Sequence, residues 1–147
     1  MKTTINLKNY HLKSILKAIN YNIPFPKGRV RRRFIADIIP IAKQVDESKR
    51  EIVEKYAEKK DGKIVRNGNE VAIQKGKEVK FKTELDKLSE EEVIIDVSTQ
   101  MRNDLPVIKS IIETSNVEVS DLETLHIIEF LDQIDEVLAK PKNDKKK

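Results

Sequence analysis

The sequence predicts an α+β domain that is mostly α-helical, with one long kinked helix, a β-hairpin, a small sheet and a C-terminal helical pair. Three observations carry that prediction. First, residues 28–60 keep one apolar phase at the helical period: Val30, Phe34, Ile38, Ile41, Val45, Ile52 and Tyr56 share a narrow stripe. Second, residues 63–74 contain Asn67-Gly68, a pair that tolerates the positive φ of a type I′ hairpin turn. Third, EVIIDV at 92–97 reads as a strand, and Ser120-Asp121-Leu122-Glu123 is a capping box that opens an apolar helix over 121–139.

In chain order, Thr3 to Leu7 is a short strand whose Ile5 and Leu7 alternate with polar neighbours, and Asn9 stands where an N-cap is expected. Residues 10–20 form a helix burying Leu12, Ile15, Leu16 and Ile19. Two prolines make 20–28 a loop, which Tyr21, Ile23 and Phe25 can pin to the core. In the long helix, Pro40 removes a backbone hydrogen bond at a cost of about 3 kcal/mol. The stripe keeps its phase across Pro40, so a kink is expected rather than a break. Ile35, Ile39, Ala42 and Val53 widen the stripe on one side, and Asp61-Gly62 is expected to end the helix.

Residues 77–89 form a helix with Phe81, Leu85 and Leu88 inward. The strand at 92–97 has two candidate partners, the N-terminal strand and Val117–Val119. Ser98 to Asn103 leads into a helix over roughly 104–115, with Pro106 tolerated in its first turn. In the last helix Ile127, Phe130, Leu131, Ile134, Val137 and Leu138 face inward, while Leu122, Leu125 and Ile128 sit nearer the acidic side.

Length and composition fit a single domain, residues 1–139, with core enough to fold, followed by a Lys-rich tail at 140–147 expected to be disordered. That tail carries the whole formal net charge of +4, so the body is balanced. Its charge is nevertheless segregated: residues 27–33 hold Lys27, Arg29, Arg31, Arg32 and Arg33 with no acid, and residues 110–139 hold eight acids with no Lys or Arg. There is no cysteine, which removes disulfides, thiolate catalysis and Cys-ligated zinc. No apolar run is long enough to span a membrane, and the N-terminus lacks the apolar centre of a signal peptide. The expected location is the host cytoplasm, with a virion as the other option.

The order of segments INLKNYHLKSILKAIN, GRVRRRFIADI, EIVEKYAEKKDGKIV and FKTELDKLSEEEVIIDV resembles a family of small phage proteins of unknown function. Those proteins occur in phages and prophages of Gram-positive, low-GC bacteria. The matching segments cover most of residues 3–97, and the final helical pair fits loosely. Pro40 and the dense Arg run depart from the pattern. The resemblance implies a source, with no activity to carry over.

Few residues offer chemistry. His11 and His126 have no second His or Cys at ligand spacing; His126 reads as a packing histidine and His11 as a solvated one. The local motifs of hydrolases and Gly-rich phosphate loops are absent. Glu90, Glu91, Glu92 and Asp96 read either as a Mg²⁺ site or as a solvated strand edge, and strand alternation favours the edge.

The basic cluster is sharper. Cations at a helix N-terminus oppose the macrodipole, so they need a reason. One reason is an anion or partner bound by Lys27, Arg29, Arg31, Arg32 and Arg33, with Arg29, Arg32 and Arg33 facing it together. The other is internal neutralisation, with Arg33 meeting Asp37 or the acidic C-terminal region folding against the cluster. A second candidate surface is Leu122, Leu125 and Ile128, which either bind a protein or are buried on a second side of the last helix.

These readings predict a non-catalytic protein with no cofactor and no metal. Its expected partner is a host or phage protein, and its expected role is to modulate or inhibit a host component such as an antiviral defence factor. The alternatives are a minor tail or assembly protein, which association into a defined ring or presence in virions would favour, and a nucleic-acid-binding protein using the basic helix start; a homo-oligomer is a further option for the partner.

Overall fold

The computed structural model describes residues 3–139; the Lys-rich tail at 140–147 lies outside the described residues. The architecture is helical around a two-stranded antiparallel sheet, β1 (Thr4–Lys8) and β6 (Glu92–Asp96). Ile5 faces Ile95 and Leu7 faces Val93 across the pair. Period-two alternation buries Ile5, Leu7 and Ile95 while Ile94 points outward. Thus β6 takes the N-terminal strand as partner, and Val117–Val119 stays outside the sheet.

Helix α1 (Asn9–Ala18) follows β1 without a loop. Its cap residue is Lys8, one position earlier than expected. Asn9 instead lies inside the helix and is buried. Its side-chain amide donates to the Leu88 carbonyl at 2.7 Å, and its backbone N–H donates to the Glu91 carbonyl at 3.0 Å. It fastens the start of α1 to the junction between the third helix and β6.

Helix α2 (Lys27–Tyr56) is one continuous helix through Pro40. It ends at Tyr56, earlier than expected, because Asp61-Gly62 does different work. Asp61 (φ 53°) and Gly62 (φ 77°) form the two-residue turn of a hairpin between β2 (Lys59–Lys60) and β3 (Lys63–Ile64). Positive φ at both positions is the type I′ requirement. A second hairpin joins β4 (Arg66–Asn67) to β5 (Glu70–Val71). Asn67 pairs with Glu70 there, so the turn is Gly68-Asn69, one residue later than expected.

The hairpins close on each other. The Glu58 N–H donates to the Ala72 carbonyl at 2.8 Å, Ala72 N–H to the Val65 carbonyl at 2.9 Å, and Val65 N–H to the Glu58 carbonyl at 2.8 Å. These three bonds form a ring linking three segments at intervals of seven residues. Helix α3 (Glu78–Glu90) returns along the distal half of α2, with Tyr56 edge-on to Phe81 and the Tyr56 hydroxyl on Glu84.

Helix α4 (Thr99–Glu113) starts earlier than expected, because the Ser98 hydroxyl caps it by accepting from the Met101 N–H at 3.1 Å. Helix α5 (Asp121–Leu138) opens on the expected capping box of Ser120 and Glu123. The core lies where β1, β6, α1, α4, α5 and the first half of α2 meet. Phe130, Ile15, Ile19, Ile38, Leu105, Ile108 and Ile134 are among its fully buried side chains.

Candidate functional site

The basic start of α2 divides into two sets. Arg33 turns inward and forms a bidentate pair with Asp104 of α4, Nε to Oδ2 at 2.9 Å and Nη2 to Oδ1 at 2.7 Å. The guanidinium holds the Asp104 carboxyl below its usual range, chiefly by this hydrogen bonding, and the carboxylate raises Arg33 in turn. Arg31 also turns inward: its Nη1 donates to the Ile19 carbonyl at 3.1 Å, placing a cation at the C-terminal end of α1, where the macrodipole favours one. Internal neutralisation is therefore correct for Arg33, but its partner is Asp104 rather than Asp37 or the C-terminal acids. Arg29, Arg32 and Arg33 do not form one outward triple.

Lys27, Arg29 and Arg32 remain exposed, and among the described residues none of them forms an ion pair. Phe25, the last residue of the loop before Pro26, is also exposed beside them. Asp104 was missed by sequence reasoning, although a signal existed. It interrupts the apolar spacing of Met101, Leu105, Ile108 and Ile112, and a carboxylate on a buried stripe requires a charged or donating partner.

The two histidines come together across α1 and α5. Their rings meet edge-on with centroids 5.4 Å apart, and Tyr10 packs against both. His11 is buried, contrary to the expectation that it is solvated. Its Nδ1 accepts from the Lys8 N–H at 2.8 Å and its Nε2 faces Glu129 at 3.1 Å, so it completes the cap of α1. His126 is the expected packing histidine, with Nδ1 2.8 Å from the Ser14 hydroxyl. Burial, and then the neighbouring His11, push the His126 pKa down.

A Ser–His contact invites comparison with nucleophile activation. Ser14 is buried in the middle of α1, where its neighbouring backbone N–H groups serve the helix rather than a developing oxyanion. A cleft of about 710 Å³ opens beside it, lined by Tyr10, Lys13, Ser14, Asp46, Lys49 and His126 among others. Its charges are mixed. Glu123 at its edge is held down to about 2 by the Ser120 backbone hydrogen bond and by Lys17. The acidic run Glu90, Glu91 and Glu92 with Asp96 lies exposed at the end of α3 and along β6. Among the described residues no group of three His, Asp or Glu is arranged to hold a metal ion.

The outer face of α5 is the third surface. Leu122, Leu125 and Ile128 are 63%, 54% and 47% exposed, so the last helix is not covered on a second side by the described residues. Asp121 and Asp132 flank Leu125 and Ile128 on that face, and both are exposed. No helix among the described residues is long and apolar enough to cross a membrane. In comparisons with known proteins, the chain matches no family model, no curated protein and no solved structure.

Proposed function

We propose that this chain is a non-catalytic phage accessory protein that binds a bacterial host protein and modulates it, an antiviral defence component being the kind of target that fits. The observation that carries the binding reading is the outer face of α5, where three large apolar side chains stand in solvent among carboxylates. Burying such a face stabilises a complex by roughly 25 cal/mol per Å² of apolar surface before the costs of association. The phage source rests on the resemblance of residues 3–97.

The inward placement of Arg31 and Arg33 weakens the nucleic-acid alternative, because it leaves Lys27, Arg29 and Arg32 as the outward cations of the cluster. Affinity capture from nuclease-treated host lysate tests the reading, with wild type beside Leu125→Asp and beside Arg29→Ala/Arg32→Ala. The expected result is one protein held stoichiometrically by wild type and by the Arg variant, and released by Leu125→Asp. Turnover of a nucleotide or nucleic acid by the purified chain would overturn the non-catalytic reading. Recovery of nucleic acid alone, lost in the Arg variant, would replace it with the nucleic-acid one.

A further inference from the structure

The outer faces of α2 and α5 carry the same spacing with opposite charge. On α5, Asp121, Leu125, Ile128 and Asp132 stand at i, i+4, i+7 and i+11, all exposed. On α2, Arg32, Ala36, Ile39 and Lys43 stand at the same i, i+4, i+7 and i+11. Arg32, Ala36 and Lys43 are exposed, and Ile39 is half-buried but outside the hydrophobic core cluster. A 4-3-4 repeat keeps its members on one seam of a helix, the geometry by which two helices interdigitate. Each seam is about 16 Å long at 1.5 Å per residue. One is acidic–apolar–apolar–acidic and the other basic–apolar–apolar–basic, so the charges meet opposite charges in either helix direction.

The two seams cannot meet within one molecule. Phe34 of α2 and Phe130 of α5 pack across the core with ring centroids 6.0 Å apart. At the helical period, the α2 seam lies about 140–200° around its axis from Phe34, and the α5 seam about 140–180° from Phe130. Both seams therefore point away from the core, on opposite sides of it.

We infer that, when no host partner is bound, a second copy of this chain occupies the α5 outer face, docking through the α2 seam in a head-to-tail contact. This rests on the reading that the α5 face is a binding surface. Because the two seams differ, the contact is heterologous, and a docked pair still presents one free α2 seam at one end and one free α5 seam at the other. Such a contact propagates into a ring or an open chain rather than closing as a two-fold dimer. A single short helix pair belongs at the small end of specific interfaces, so association depends on concentration and weakens with salt.

Sedimentation velocity of the full chain, from about 10 µM to about 1 mM at low and high salt, reads this directly. Wild type is expected to grow beyond the monomer mass as concentration rises, and less so in salt. Arg32→Glu/Lys43→Glu and Asp121→Lys/Asp132→Lys are each expected to stay monomeric and folded by circular dichroism. Mixed together they are expected to associate again, since the reversed seams complement each other and the untouched seams still match. A wild type that stays monomeric, a closed dimer, or association that survives either reversal would overturn the inference. Leu125→Asp in the lysate capture separates the two failures. If wild type is monomeric but that variant loses a captured host protein, the α5 face binds a different partner; if capture is unchanged as well, the α5 reading falls too.

Discussion

The two ends of α2 hold their surroundings by different means. The first half, from Lys27 to Val45, lies on the core and contributes Phe34 and Ile38 to a cluster in which many side chains are fully buried. The second half reaches a distal lobe of two small hairpins and α3, where Tyr56, Ala57 and Leu88 are buried and much of the rest is exposed or half-buried. There, turn geometry and a closed ring of backbone hydrogen bonds replace a core. Apolar burial is non-directional and tolerates redundancy, whereas a ring of three hydrogen bonds depends on each turn. Damage to the core should therefore unfold the whole chain, and damage to the lobe should open it locally.

The largest break is Phe130→Ala. Phe130 is fully buried against Phe34, so its removal should cost about 3–5 kcal/mol and lower the denaturant midpoint for both regions together. If the lobe stayed protected in hydrogen exchange while the core melted, the two regions would be independent and the comparison would be wrong.

Asp104→Ala comes next. It strips Arg33 of its bidentate partner and should cost about 1–3 kcal/mol, with a half-exposed Arg33 able to recover part of the loss from water. Since Arg33 holds the carboxyl pKa down, the pair's contribution is present above the unfolded carboxylate range and is lost as pH falls through the lowered value. Wild type should lose stability relative to Asp104→Ala on acidification, as urea titrations at two pH values would measure.

Gly62→Val sharpens the contrast from the other side. Gly62 has φ 77° with open space around the site, so a β-branched residue there strains the backbone without creating a clash. The expected cost is about 1 kcal/mol or more, read as faster exchange of the Val65 and Ala72 amides, with Ile15 in the core unchanged.

The same contrast explains what was legible in the sequence. Core elements carry long periodic signals: the β1 alternation, the α2 stripe and the Ser120 capping box each sufficed to place their element. The lobe is written in two-residue signals with more than one meaning. Asp61-Gly62 suits a helix C-cap as well as a type I′ turn, and only the pairing of Lys60 with Lys63 decides between them. The pairing of β1 with β6 was legible as one of two options, but side-chain contacts between distant helices were not. Arg33 meets Asp104 and Ser14 meets His126 because helices pack, and no local pattern encodes which polar side chains then face each other.

The smallest expected effect concerns that last contact. His126 is half-buried beside His11 and Tyr10, with Ser14 on its Nδ1 and Glu123 and Glu129 as the nearby carboxylates. Desolvation and the second histidine disfavour its charged form more than the two carboxylates favour it, so its pKa in the folded chain lies below the unfolded value of about 6.5. As pH falls below that value the unfolded chain takes up a proton before the folded one does. Stability therefore declines through that window and levels off below the folded pKa. Glu123 is held down to about 2, so its contribution is lost in a separate, more acidic range. His126→Gln keeps a polar group near Ser14 and removes the titration. Its melting temperature should show less decline between pH 7 and pH 5.5 than wild type, while Gly62→Val should follow the wild-type slope. A slope unchanged by His126→Gln would mean that packing between α1 and α5, rather than the protonation of this ring, governs the core's response to mild acid.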